Sequence, residues 1–263
     1  MPPNEQAFFN ELYAQFQEEQ KQTQKDILIV AHNQLDYIKE CVESILECTY
    51  NFILYIWDNA SDTPTKRYLE YLSENHSKIK LSRSEENLGF IIPNNRLAEK
   101  GNSEYIILLN SDTKVKPGWD NGLVGFLETF SNYAQVGYIG GLLNTDCRGG
   151  DVFDCGDEID FIPGWCFCVH RKTFERYGLF DEKNLEFAYG EDSDFSLRLK
   201  AAGHKIYALH LDLVLHHGNR TVFEVQNKRK MTDTFYQNHQ YLRSKWRHYL
   251  ENQRILSPSR QRL

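Results

Sequence analysis

Two periods of apolar residues alternate along the chain. "DILIVAHN" (26–33) is a short aliphatic run that ends on polar residues, and "LDYIKECVESILECT" (35–49) behind it places apolar side chains at helical spacing. The first predicts a buried strand and the second an amphipathic helix. The pair then recurs. "FILYIWDNASD" (52–62) predicts a second strand, followed by a Thr63-Pro64 helix start and the periodic "TKRYLEYLSENH" (65–76). "KIKLSRSEEN" (78–87) gives a third strand, "PNNRLAEKG" (93–101) a helix closing at Gly101, and "EYIILLNSD" (104–112) a fourth strand. Strands alternating with helices across short links predict an α/β layer built on a mostly parallel sheet.

The second half has a different texture. "DEIDFIPGWCFCVHRKTFERYGLFDE" (157–182) is an apolar strand interrupted at Pro163-Gly164, then a short helix and a turn. "GEDSD" (190–194) opens a further helix whose apolar positions Phe195, Leu197, Leu199 and Ala202 run to a cap at Gly203, and "LVLHHGNRT" (213–221) predicts a strand ending on His216 and His217. At the front, Phe8, Phe9, Leu12, Tyr13 and Phe16 predict an amphipathic helix over 1–25, docked on the body or on a second subunit. No internal repeat and no low-complexity segment interrupts the pattern.

In open α/β sheets, ligands bind beyond the carboxyl ends of the strands. Here three strands in succession end on polar groups: His32 and Asn33, Asp58 and Asn59, Asn110 and Asp112. One such ending is ordinary turn chemistry, but three predict a shared crevice. "GEDSD" adds Glu191, Asp192 and Asp194 at a helix start, where one or two acids serve as caps. A third raises like-charge repulsion, which suits one of them to proton abstraction. A histidine pair at a strand end is more often a surface or core feature on spacing alone, and becomes a metal site when a carboxylate joins it from elsewhere, Asp112 being one candidate.

Charge sharpens this picture. From Gln226 onward nine basic residues face two acids, so this tail carries +7 and leaves −14 on a body whose chain total is −7. An acidic body excludes a general nucleic-acid binder. The tail is read as a solvated helix face or as a contact for anionic lipid or a phosphorylated substrate. Six cysteines without a paired CxxC read as free thiols of a reducing compartment, not zinc ligands. No apolar run is long enough to span a bilayer, and the first twenty residues lack the basic start and apolar middle of a secretion signal. The expected location is cytoplasmic, with the tail peripheral to the inner face of the membrane.

Taken in order, "AHN", "WDNASD", "ENLGF", "YIILLNSDT", "PGWCFCVHRKTFERYGLFDE", "YGEDSDFSLRLKAAGHKI" and "LHHGNRT" resemble the inverting glycosyltransferases of family 2, in particular their rhamnosyltransferase-like branch. The resemblance runs from about Asp26 to Thr221, with a weaker echo in "NHQYLRSKW" (238–246). It implies a GT-A fold over 26–221, with helical extensions over 1–25 and 222–263. It further implies transfer of a sugar from a nucleotide diphosphate, UDP being the default, to a glycan or other hydroxyl acceptor in surface polysaccharide or glycoprotein glycan synthesis.

The same resemblance assigns roles by residue. Ala31, His32 and Asn33 touch the nucleotide; Asp58, with Asn59 beside it, holds the base or ribose; Asn87 and Asn95 lie near the same wall. The family's metal-binding DxD stands here as Asn110-Ser111-Asp112, so Asp112 is the implied ligand for Mn²⁺ or Mg²⁺. His216 is the implied further ligand, with His217 second. Asp192 is the implied general base and Glu191 its neighbour, with Gly164 and Trp165 beside the transferred sugar or acceptor. Physical chemistry agrees with the cation, since a sugar diphosphate entering an acidic body needs one to bind and to let the diphosphate leave.

The segment after "ENLGF" departs from the family. It is usually rich in Gly and Ala, but here reads "IIPNNRL" (91–97), which leaves donor contacts in that loop open. Two rivals follow from the fold. A sugar nucleotidyltransferase would carry a Gly-rich basic loop early in the chain, and "AHNQLDYIKE" (31–40) offers none. A non-catalytic nucleotide-sugar-binding subunit would bind donor without turnover. Homo-oligomers are compatible with either reading.

Overall fold

A computed structural model describes residues 23–149, 156–209, 211–218 and 228–256. The predicted N-terminal helix up to residue 22, Cys155 and the last seven residues lie outside the described residues, and Lys25, where that predicted span ended, opens β1 instead. Strand β1 (Lys25–Ala31) leads to α1 (Leu35–Cys48), β2 (Phe52–Asn59), α2 (Thr63–Asn75), β3 (Ile79–Ser84), α3 (Ile91–Lys100) and β4 (Tyr105–Leu109). Asp62 caps α2 by accepting from the Thr65 N–H at 3.0 Å, and Pro64 occupies its first turn, as the Thr-Pro start predicts. Next come β5 (Thr113–Val115), α4 (Trp119–Thr129), β6 (Tyr133–Gly137), β7 (Cys166–His170) and α5 (Arg171–Tyr177). The chain ends with α6 (Glu191–Ala201), β8 (Lys205–Ala208), β9 (Val214–His216) and α7 (Lys228–Leu256).

The main sheet has the order β3-β2-β1-β4-β7-β6-β8. β3, β2, β1 and β4 are parallel, as are β6 and β8, whereas β7 runs antiparallel to both of its neighbours. The sheet is therefore mostly parallel, with a reversal at "CFCVH" that the apolar run did not reveal. Helices cover both faces, so successive side chains of a strand enter different cores. Ile27 and Ile29 of β1 and Ile107 and Leu109 of β4 join one cluster; Leu28, Ile106 and Leu108 join the other. Each such side chain, fully buried, contributes about 1.5–3 kcal/mol.

At the amino end of β1, Lys25 donates to Asp120 of α4 at 2.6 Å, and both side chains are sealed from water. Burial raises the Asp120 carboxyl above its ordinary range, and the Lys25 ammonium opposes that rise. Asp120→Ala strands a buried ammonium and is expected to lower stability by about 3–5 kcal/mol in urea denaturation. A loss below about 1 kcal/mol would mean that the pair is dispensable to the fold.

The described cysteines are free thiols, as expected of the sequence. The carboxyl ends of β1, β2 and β4 open on one side of the sheet. There β5 and β9 pair separately as a two-stranded antiparallel ribbon.

Candidate active site

The ribbon brings together residues far apart in the chain. Its register sets Thr113 opposite His216, so Asp112, just before β5, meets the end of β9. His216 Nε2 lies 3.1 Å from Asp112 Oδ1, yet this buried nitrogen makes no aligned hydrogen bond among the described residues. A carboxylate oxygen and an imidazole nitrogen this close, the nitrogen outside any aligned hydrogen bond, are ligand types that suit a common cation. Trp165 fixes the imidazole from one side, stacked at a centroid distance of 4.9 Å and 14°. His217 turns the other way. Its Nε2 is 2.7 Å from Glu40 of α1, its ring lies against Tyr37, and only its backbone N–H reaches Asp112, at the carbonyl, 2.9 Å away.

The acids of "GEDSD" separate by role. Gly190 starts α6 with φ 92°, and a Cβ there would meet Leu242 of α7 at 2.5 Å, so no larger residue fits. Asp192 Oδ2 accepts the Gly164 N–H at 3.0 Å, and Oδ1 accepts the Ser193 N–H at 2.6 Å and the Ser193 hydroxyl at 3.2 Å. Glu191 Oε2 is buried with no hydrogen-bond partner among the described residues. Burial pushes the Glu191 carboxyl up to about 8, with the Asp192 charge adding to the rise. Burial also raises Asp192, but the donated Gly164 and Ser193 hydrogen bonds oppose it. The three donors on Asp192 favour its ionised form, and Glu191 Oε2, with no donor among the described residues, is the better seat for a proton shared by the pair. Asp194 is occupied with the fold: it pairs with Arg198 at 2.9 Å and Lys245 at 2.8 Å and accepts the Trp246 indole N–H at 2.8 Å.

One loop joins the two corners. Gly164 donates to Asp192, Trp165 stacks on His216, and the Trp165 carbonyl accepts the Asn110 N–H at 2.8 Å. The Pro163-Gly164 break in the apolar run is thus the bend that lets one segment touch both sets. Asn110 is half-buried, and Ser111 and Asp112 are buried, at the end of β4.

On the other side, Ala31 ends β1 in register with Asp58, which stands in register with Arg83 of β3. Asp58 is buried, accepts the Ser61 N–H at 2.9 Å and takes the Arg83 guanidinium on its second oxygen. Sequence reasoning missed Arg83, whose signal is the β2–β3 register and no local motif. His32 Nδ1 is 2.7 Å from the Asn59 carbonyl, and Asn33, at φ 53°, accepts the Asp62 N–H at 2.8 Å. Asn59 donates to both the Asn87 side chain and the Gly89 carbonyl at 2.8 Å, so it braces the "ENLGF" turn. Gly89 has φ 78°, and a Cβ there would fall 2.4 Å from the Phe187 carbonyl oxygen. That carbonyl accepts the Phe90 and Ile91 N–H groups at the start of α3, stitching "ENLGF" to the segment that leads into Glu191. Asn95 is directed elsewhere: its amide is spent on Phe180 and Glu182.

Comparison with known proteins bears on the fold that carries these residues. The sequence profile of glycosyl transferase family 2 matches residues 26–146. An uncharacterized glycosyltransferase of Haemophilus influenzae is 28% identical over 64% of this chain and 58% of its own. A Bacillus subtilis protein named for teichuronic acid biosynthesis, the glycosyltransferase TuaG, is 28% identical over 34% of this chain and 36% of its own. The chain thus spans about half the length of the curated relatives it matches. GalNAc-T7, solved with UDP, GalNAc and Mn²⁺, superposes with a TM-score of 0.65 at 18% identity, covering 74% of this chain and 44% of that one. The mannosyltransferase PcManGT of Pyrobaculum calidifontis, solved with GDP-Man and Mn²⁺, gives 0.57 at 13% identity over 77% of this chain and 61% of its own. Staphylococcus aureus TarS 1–349 gives 0.56 at 16% over 73% and 59%. Residues 26–146 are thus similar to glycosyl transferase family 2, and the α/β layer that carries them has the GT-A fold.

Proposed function

We propose that this protein transfers a sugar from a nucleoside-diphosphate donor to a hydroxyl acceptor in a single inverting displacement. The observation that carries this reading is the Gly164-Trp165 loop, which holds a buried carboxylate base with one residue and the Asp112–His216 pair with the next. Asp192 takes the proton of the acceptor hydroxyl. The oxygen bonds to the anomeric carbon on the face opposite the diphosphate, and the bond to the diphosphate breaks with its electron pair leaving on the phosphate oxygen. Glu191, neutral at the same time, offers its unpartnered Oε2 to a sugar or acceptor hydroxyl. Ala31, His32, Asn33, Asp58 and Asn59 form the nucleotide wall, which Asn87 braces.

Asp112 and His216 would hold Mn²⁺ or Mg²⁺. Among the described residues these two form no group of three with a further acidic, cysteine or histidine side chain. Bound there, the cation supplies charge neutralisation to the departing diphosphate. The motif order supports a rhamnosyl or hexosyl donor, and the TuaG likeness supports an acceptor in cell-surface polysaccharide synthesis. No helix among the described residues is long and apolar enough to cross a membrane. Within α7, Arg243, Lys245 and Arg247 pair with Asp146, Asp194 and Glu251, and of the three Lys245 is the one tied to a fully buried carboxylate.

A thermal-shift panel of UDP-hexoses, GDP-mannose and a rhamnosyl donor tests this directly. One nucleotide class with Mn²⁺ is expected to raise the melting temperature, since a ligand at about 100 times its Kd adds about 2.7 kcal/mol to the folded state. EDTA should abolish the shift, and nucleoside diphosphate should accumulate once acceptor is added. Binding that ignores metal and yields no turnover would favour the non-catalytic subunit.

A further inference from the structure

The helix α7 lies outside the family-matched segment, yet its buried face is aimed at the segment that carries the base. Asn238, 2% exposed, uses its whole amide on one loop: Nδ2 donates to the carbonyls of Glu186 at 2.9 Å and of Ala188 and Tyr189 at 3.0 Å, while Oδ1 accepts the Glu186 N–H at 3.0 Å. Within that loop Phe187 and Tyr189 have φ values of 63° and 77°, left-handed conformations that non-glycine residues rarely adopt. Such backbone costs about 1–3 kcal/mol per residue and persists only where its surroundings impose it. Leu242, one turn along α7, closes on Gly190. Lys245 and Trp246, a further turn on, seize Asp194, so the helix grips the loop ahead of Asp192 and the helix turn behind it.

We infer that Asn238 is a positioning residue for the transfer reaction, a clamp that holds the strained 186–190 loop so that α6 presents Asp192 to the acceptor. The inference rests on the reading of Asp192 as the base. An amide suits this task because only Asn or Gln supplies both donors and an acceptor from one side chain, and the shorter one fits a site this close to the backbone. The clamp's own hydrogen bonds reach neither Ala31–Asn33 nor the Asp112–His216 pair, and its loop meets the "ENLGF" turn through the Phe187 carbonyl. It should therefore act mainly on the chemical step and change nucleotide binding little.

Asn238→Ala and Asn238→Asp in the full chain test this against Asp192→Asn. Asp keeps the acceptor for the Glu186 N–H but replaces the donors with a carboxylate facing three carbonyls. Hydrogen exchange across 186–190 is expected to accelerate at least about tenfold in both clamp variants, as for a segment released from its local restraints. Exchange in β1 and β4 should stay at the parental rate. The affinity for UDP with Mn²⁺ should remain within about threefold, while kcat for the donor selected by the panel falls about 10- to 100-fold. The acid limb of the kcat profile should also move to lower pH as water reaches Asp192. Unchanged exchange or unchanged kcat would overturn the inference. So would loss of the whole fold in both variants, since a clamp on one loop leaves the sheet standing. If instead Asp192→Asn keeps parental turnover, the base assignment itself is wrong, whatever the clamp variants do.

Discussion

Asp192→Asn is expected to cut turnover by about 10²–10⁴-fold while leaving the affinity for UDP and Mn²⁺ unchanged. Asparagine is isosteric and still accepts the Gly164 N–H with its carbonyl oxygen, giving up only the local Ser193 N–H bond on its amide side, so the loop and the Trp165–His216 stack should survive. What disappears is the proton acceptor. Because loss of a base lowers the chemical step alone, the fall should appear in kcat with little change in donor KM. Glu191→Gln provides the contrast. Its carboxyl is raised from the ordinary 4.5 to about 8 by burial and by the Asp192 charge, so the folded state binds a proton that the unfolded chain releases. The stability this contributes is complete below the unfolded value and drains away as pH climbs to about 8. Gln cannot ionise, so urea denaturation at pH 5 and pH 8 should show a shallower decline in the variant than in the parent. Equal turnover in Asp192→Asn and parent would remove the base from this position. An equal pH slope in Glu191→Gln and parent would remove the proton from Glu191.

Much of this was legible in the sequence because its signals are local. Strand ends and helix starts are written in a few neighbouring residues: "LLNSD" stops a buried strand on a carboxylate, and Thr63-Pro64 announces a helix. The reversal at β7 was not, because "CFCVH" has the same composition in either direction and only its partners decide. Neither were α4 and β6, between Trp119 and Gly137, where "WDNGLVGFLET" breaks its helical pattern with two glycines. Residues that act through distant register were missed altogether. Arg83 meets Asp58 only because β2 and β3 pair in one alignment, and Asn238 meets the 186–190 loop only because a helix dozens of residues later folds back over it. Asn59 and Asn87 show the converse. Their turn chemistry was visible, but their use of each other as partners makes them supports of the wall as much as its surface. Between the two histidines, spacing alone had no means to choose, since adjacent residues at a strand end point to opposite sides.

That choice is the subject of the second large effect. Asp112→Ala is expected to weaken Mn²⁺-dependent UDP binding by more than about 100-fold, beyond the 10–100-fold that loss of a mere supporting partner costs a metal site. His216→Ala should weaken it less, because a neutral ligand is lost and a charge is not, and because Trp165 loses only its stacked neighbour. His217→Ala should stay within about threefold of the parent, since its ring is engaged with Glu40 and Tyr37 and faces away from Asp112. The three variants together separate ligation from fold. A general loosening of the β5–β9 ribbon would damage His217→Ala as much as His216→Ala, for both residues sit at the same end of it. Titrating each variant with Mn²⁺ in the presence of UDP by calorimetry gives the ranking. If His217→Ala abolishes binding and His216→Ala spares it, the cation lies on the α1 side with Glu40, and the pairing of Asp112 with His216 is a structural contact.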